Sequence, residues 1–236
     1  MSNPNANAET NRAFLSSGTT ALRTWVSMAM LTAIAYVVMY ISKLLPQVFG
    51  FLQFDLKDTA ICIGGFVFGP LAAAIISIVV AVVEMFTVSD TGIIGCIMNI
   101  LATASFCCTA AFVYKRFHTK KGAVAGLALG VVALTAVMLL WNYLITPLYM
   151  PNFTRGDIAK LLPTVFLPFN LVKGGLNMAV ILLLYKPVVT ALRKAHLIPE
   201  SQSIVESKKF NAGFLLFSLF LLATFVTISL VLMKII

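Results

Sequence analysis

A few polar side chains stand inside otherwise apolar stretches, and any chemistry has to start from them. Glu84, Asn99, Asn142, Asn170, Lys173 and Asn177 each lie within a run rich in Leu, Ile, Val, Ala, Phe and Met. A Lys at the centre of a bilayer-crossing helix costs about 2.5 to 3.5 kcal/mol on insertion scales, so each such group requires a partner or a water-filled cavity. Asn170, Lys173 and Asn177 recur at i, i+3 and i+7, which puts them on one face of one helix. Gly174 and Gly175 remove bulk beside Lys173, so a neighbouring helix or a flat ligand can come close to that face.

Two chemistries fit this set. In one, Lys173 pairs with Glu84 or caps backbone carbonyls and holds a bundle together. In the other, Lys173, the Asn amides and Glu84 line a pocket for an uncharged or weakly anionic molecule with a flat apolar body. Phe49, Phe51 and Phe54, with Trp141, Tyr143 and Tyr149, can stack on such a molecule or form an ordinary interfacial aromatic belt. For Asn99 and Asn177 taken singly, interhelical hydrogen bonding serves as well as ligand contact.

Enzymatic signatures are missing. The chain has no G-x-x-x-x-G-K-[ST] loop, no H-E-x-x-H pair and no G-x-S-x-G elbow. His118 and His196 sit in basic loops, where a solvated role is expected. Asp55 and Asp58 flank Lys57 and read as a solvated loop or the cap of a second helix. Cys62, Cys96, Cys107 and Cys108 fall in apolar segments without C-x-x-C spacing, so buried apolar thiols are expected rather than a zinc site or a disulfide framework. The expectation is a non-enzyme with no ATPase, metal or cofactor of its own, driven by an ion gradient or another subunit.

The elements that must position these residues are membrane helices. Of 236 residues, 60% are hydrophobic and only 11% charged, with a mean hydropathy of +0.99. Soluble domains carry roughly 25% charged residues, so a soluble enzyme and a nucleic-acid binder fit poorly. Apolar runs at 22–45, 71–88, 93–114, 124–148, 162–185 and 210–233 each match the roughly 20 residues a crossing needs. The run at 59–68 before Gly69-Pro70 is short, which predicts a half-length second helix.

If every segment crosses, Arg12, Arg23, Lys115, Arg116, Lys120, Lys121, Lys186, Arg193, Lys194, Lys208 and Lys209 share one face, eleven of seventeen basic residues. The net charge of +9 therefore reports orientation, with a cytoplasmic amino terminus. The expected organisation is a polar cytoplasmic segment 1–21, a six-helix membrane domain 22–190, a cytoplasmic linker 191–209 and an additional transmembrane helix 210–236. Ala29 and Ala33, at i and i+4 with Ser27 and Ala35 nearby, make a smooth surface where another membrane helix can pack.

FLQFDLKDTAICIGGFVFGPLAA (51–73), KKGAVAGLALG (120–130), NYLITPLY (142–149) and LPFNLVKG (167–174) together resemble the riboflavin-specific S components of energy-coupling factor (ECF) vitamin transporters, over roughly residues 25–190. The resemblance implies an all-α membrane protein, a six-helix S-component bundle in the cell membrane. Such a protein captures a vitamin from outside, then reorients on docking to a transmembrane coupling protein and two cytoplasmic ATPases. It also implies flavin contacts from Asn142, Asn170 and Lys173, and a coupling-protein contact through Ala29 and Ala33. The family commonly has S-D-x-P where this chain reads Lys57-Asp58-Thr59-Ala60, and the seventh apolar segment lies outside its six-helix pattern. A different vitamin such as pantothenate, its carboxylate paired with Lys173, and a non-transport membrane scaffold are the alternatives.

Overall fold

A computed structural model describes residues 4–48, 52–89, 91–149, 154–195, 197 and 212–233, with backbone alone for 4–20 and 149. Phe49, Phe51 and His196 lie outside the described residues, as does the side chain of Tyr149.

Helix α1 runs from Pro4 to Ser42, beginning well before the expected start at Leu22, with its membrane-compatible part at Ala21–Ser42. Helix α2 is Lys57–Phe68, twelve residues. At 1.5 Å per residue it is about 18 Å long, against a hydrocarbon core of roughly 30 Å, so it cannot cross alone. It is also buried on every side from Lys57 to Phe66, which is how a central helix behaves. Gly69 ends it with φ at +97°, a conformation that costs a residue with a Cβ, and Pro70 opens α3 (Pro70–Thr87) with its missing N–H at no cost.

Next come α4 (Gly92–Arg116) and α5 (Lys120–Tyr149). A short α6 (Arg155–Leu161), capped by a reciprocal Thr154–Asp157 box, leads through a π-helical turn at Leu162–Phe166 into α7 (Leu167–Lys194). Pro163 and Pro168 interrupt the regular ladder there. Helix α8 (Ala212–Leu232) lies against α7. Among the described residues, six helical stretches are long and apolar enough to cross a membrane: the apolar part of α1, then α3, α4, α5, the α6–α7 stretch and α8. The protein is a multi-pass membrane protein, with α2 as the sixth, half-length member of the main bundle.

The middle of the bundle is filled. Ile61, Phe106, Cys107, Leu127, Leu134 and Ile181 are almost wholly inaccessible. Large side chains such as Phe86 and Leu71 face outward, as a lipid-facing surface requires. Helices α4 and α5 approach closely through Gly126 and Gly130, one turn apart. A Cβ at Gly130 would stand 2.7 Å from the Phe106 carbonyl, and one at Gly126 2.8 Å from that of Ala110. Small residues at such spacing substitute backbone packing for a hydrophobic driving force that lipid does not supply.

Gly130→Ala is expected to push α4 off α5 and lower stability by about 1 to 3 kcal/mol. Gly156→Ala meets only ordinary contact at 3.7 Å and leaves the transition unchanged or slightly raised. Thermal unfolding of the two variants in detergent, compared with the parent, checks both.

Candidate functional site

The site grows from the first turn of α2. The Lys57 ammonium lies 2.7 Å from Asp55 Oδ2 and 2.7 Å from Glu84 Oε2 on α3. The Lys57 backbone N–H also donates to Asp55 Oδ1, at 2.8 Å. Glu84 Oε1 faces Lys43 Nζ from the end of α1, at 3.2 Å. Asp58 accepts from Thr103 Oγ1 of α4 at 2.7 Å, and its Oδ2 is buried with no hydrogen-bond partner among the described residues. Lys57 and Asp58 are 2% and 1% exposed, so the expectation of a solvated loop is wrong for this triplet. The cause is the length of α2: a helix that starts inside the protein carries its amino-terminal charges in with it. Glu84 is held by Lys57 and Lys43, so the alternative in which Lys173 pairs with Glu84 is not the one the structure takes.

A cavity of about 390 Å³ opens beside this cluster. Glu84, Asn99, Asn142, Asn170, Lys173 and Phe54 all line it, so the structure brings together six of the nine ligand residues expected from sequence. Asn177 is not on its wall. Its Oδ1 accepts from Thr59 Oγ1 at 3.1 Å, and its Nδ2 donates to the carbonyls of Asp55 at 2.8 Å and Lys173 at 3.1 Å. Asn177 thus spends its amide tying α7 to α2. Tyr143 is 39% exposed on α5 and also lies off the wall. Phe51 lies outside the described residues.

Asn142 and Asn170 are anchored alike. Each Nδ2 donates to a carbonyl one turn earlier, Met138 at 2.7 Å and Phe166 at 2.8 Å. Each keeps a second N–H, and Asn170 Oδ1 has no hydrogen-bond partner among the described residues. Lys173 is half-buried and forms no ion pair among the described residues, although its charge acts on Asp55 and Asp58. The cavity therefore presents an ammonium, amide donors and an amide acceptor.

Of the apolar walls, Phe54 was expected from the sequence, whereas Phe169, Met39, Met98 and Met138 were not singled out. The Phe54 and Phe169 rings lie with centroids 4.9 Å apart, tilted by 36°, and Met39, Met98 and Met138 also line the cavity. Phe169 adjoins Asn170, so its neighbour was the available signal. Gln53 pins the loop over the cavity by donating to the carbonyls of Ser42 and Lys43 at 3.4 and 3.1 Å. Gly174 and Gly175 serve neighbouring helices rather than a ligand: Val131 and Leu134 of α5 close on the first, and the Phe225 ring of α8 fills the space beside the second. Ala29 and Ala33 are exposed on α1, whereas Ser27 and Ala35 point into the bundle.

A helical bundle with a polar and aromatic cavity toward one end is a membrane-embedded small-molecule-binding protein. The pattern described as "ECF transporter, substrate-specific component" matches residues 23–185, and the chain belongs to that family. It is 32% identical over 175 residues to the riboflavin transporter RibU of Staphylococcus aureus (strain TCH60), covering 72% of this chain and 92% of that protein. It is 30% identical over 183 residues to the riboflavin transporter FmnP of Bacillus subtilis (strain 168), covering 73% and 96%. Among solved structures, one described under "Structure and mechanism of the S component of a bacterial ECF transporter" superposes with a TM-score of 0.62 at 28% identity, over 73% of this chain and 99% of that one.

Lys57→Met is expected to cost about 3 to 5 kcal/mol, because it leaves Asp55 and Glu84 buried without their shared cation. Adding Asp55→Asn and Glu84→Gln to Lys57→Met should recover most of that loss. Thermal unfolding of the single and triple variants is the measurement.

Proposed function

We propose that this chain is the riboflavin-binding subunit of an ECF-type importer, taking the vitamin from the extracellular side. The observation that carries the reading is the convergence of Asn142, Asn170 and Lys173 on one cavity with the Phe54–Phe169 pair. An isoalloxazine ring has an apolar body and a polar edge, and its ribityl chain is rich in hydroxyls. In this reading Asn142 and Asn170 hydrogen-bond the polar edge or the ribityl chain, and Lys173 donates to a carbonyl or hydroxyl. Phe54 lies against the ring, with Phe51 covering it from the loop. Asn99 and Glu84 complete the wall, Glu84 acting through the charges it holds in place. The names of the relatives from S. aureus and B. subtilis support the same substrate.

Residues 22–190 are the binding domain, and 1–21 and 191–209 lie on the cytoplasmic side, by the clustering of basic residues. The additional helix 210–236 then returns outward. Transport energy comes from a transmembrane coupling protein and two cytoplasmic ATPases, and the exposed Ala29 and Ala33 form the surface that meets the coupling protein. Ala33→Trp is expected to leave riboflavin binding intact while abolishing uptake in cells carrying the whole transporter.

Isothermal titration of the purified protein with riboflavin should give a dissociation constant below micromolar. Lys173→Ala should weaken it about tenfold or more with little change in folded yield. Failure of the parent protein to bind riboflavin in this range overturns the substrate. Salt-sensitive binding of pantothenate with indifference to flavins would replace it, and collapse of the Lys173→Ala bundle itself would favour a scaffold.

A further inference from the structure

A second cavity of about 350 Å³ lies at the opposite, basic end of the bundle, between the α4–α5 turn, the later turns of α7 and the start of α8. Its walls are apolar, from Phe66, Ile181, Leu182, Phe214 and Leu215. Tyr114 and Tyr185, joined hydroxyl to hydroxyl at 2.9 Å, supply the polar atoms within. Its rim carries Lys120, Lys186 and His118, all exposed, and neither lysine forms an ion pair among the described residues. The groove exists because α8 leans on α7 and leaves the α4–α5 corner unfilled.

The family match ends at residue 185, so Lys186 and the α8 wall belong to the part of this chain beyond it. An apolar groove at membrane depth capped by unpaired cations complements one kind of bilayer molecule, with acyl chains for the walls and a phosphate for the rim. We propose that the groove between α8 and the α4–α5 turn is a binding site for an anionic phospholipid, its acyl chain against Phe214 and Leu215 and its phosphate between Lys120 and Lys186. The bound lipid completes the packing of α8 onto the bundle.

Native mass spectrometry of the full chain in detergent tests this with phosphatidylglycerol and phosphatidylcholine at equal concentrations. The parent protein should retain phosphatidylglycerol about tenfold or more over phosphatidylcholine, and Lys120→Ala with Lys186→Ala should remove that preference. Unchanged riboflavin binding by the double variant shows that it is folded, and Leu215→Trp, which fills the groove, should reduce retention of both lipids. Phosphatidylglycerol carrying a photoactivatable acyl chain should label the segment Phe214–Ser218. Equal retention of the two lipids, or a preference that survives loss of both lysines, overturns the site. So does absence of label on Phe214–Ser218, the result expected if residues 198–211 of this chain occupy the groove themselves.

Discussion

The buried ion cluster at the start of α2 is the interaction on which the site depends. Lys57 sits between Asp55 and Glu84, and Glu84 reaches on to Lys43. Taking Lys57, Asp55 or Glu84 out of water is expensive, and their ion pairs offset that cost. The members come from the end of α1, the loop after it, α2 and α3. Ion pairing therefore specifies how four separate segments meet, which apolar packing does poorly when the surrounding lipid is as apolar as the helices.

The same helix explains where the cavity is. Because α2 is too short to cross, no helix occupies the space beyond its first turn, and the segments 43–48 and 52–56 border that space instead. The end of α3, the start of α4, the later turns of α5 and the early turns of α7 become walls. Thr59 and Asn177 lock α2 to α7 beneath the cavity, and Asn142 and Asn170 are steadied by carbonyls of their own helices. The amides are thereby oriented before a ligand arrives, which reduces the ordering that binding must impose.

Much of this was legible in the sequence, and the exceptions share a cause. The crossing helices, the half-length α2 and the placement of Asn142, Asn170 and Lys173 on one cavity follow from apolar run lengths and from the cost of burying polar groups. Asp55 and Asp58 were read as a solvated loop or a helix cap because three charged residues after Pro46 and Gly50 look like a surface segment, and a hydropathy pattern carries no information on the depth at which a helix begins. Asn177 shares a helical face with Lys173, but it sits a turn deeper, where α2 meets α7 instead of the cavity. Tyr143 follows Asn142, and one residue along a helix turns the side chain by about 100°, from the cavity wall to the exterior. Gly174 and Gly175 marked a close approach correctly, but only the packing of Val131 and Phe225 shows that helices make it.

The two ends of the bundle are separated by its densest part, and this constrains how a guest admitted at one end can leave at the other. Ile61, Phe106, Leu127, Leu134 and Ile181 close the middle with essentially no accessible surface. Opening a path between α4 and α5 would pull apart the backbone contacts at Gly126 and Gly130. Opening one between α2 and α3 would part Lys57 from Glu84, leaving Lys57 with Asp55 alone and Glu84 with only the partly exposed Lys43. Either route breaks what holds the fold together. A displacement of the bundle as a unit breaks neither, since its cost falls on the exposed apolar surface that faces lipid or another membrane helix, and the open face at Ala29 and Ala33 is part of that surface. A path through the middle of the bundle therefore costs contacts on which the fold itself depends.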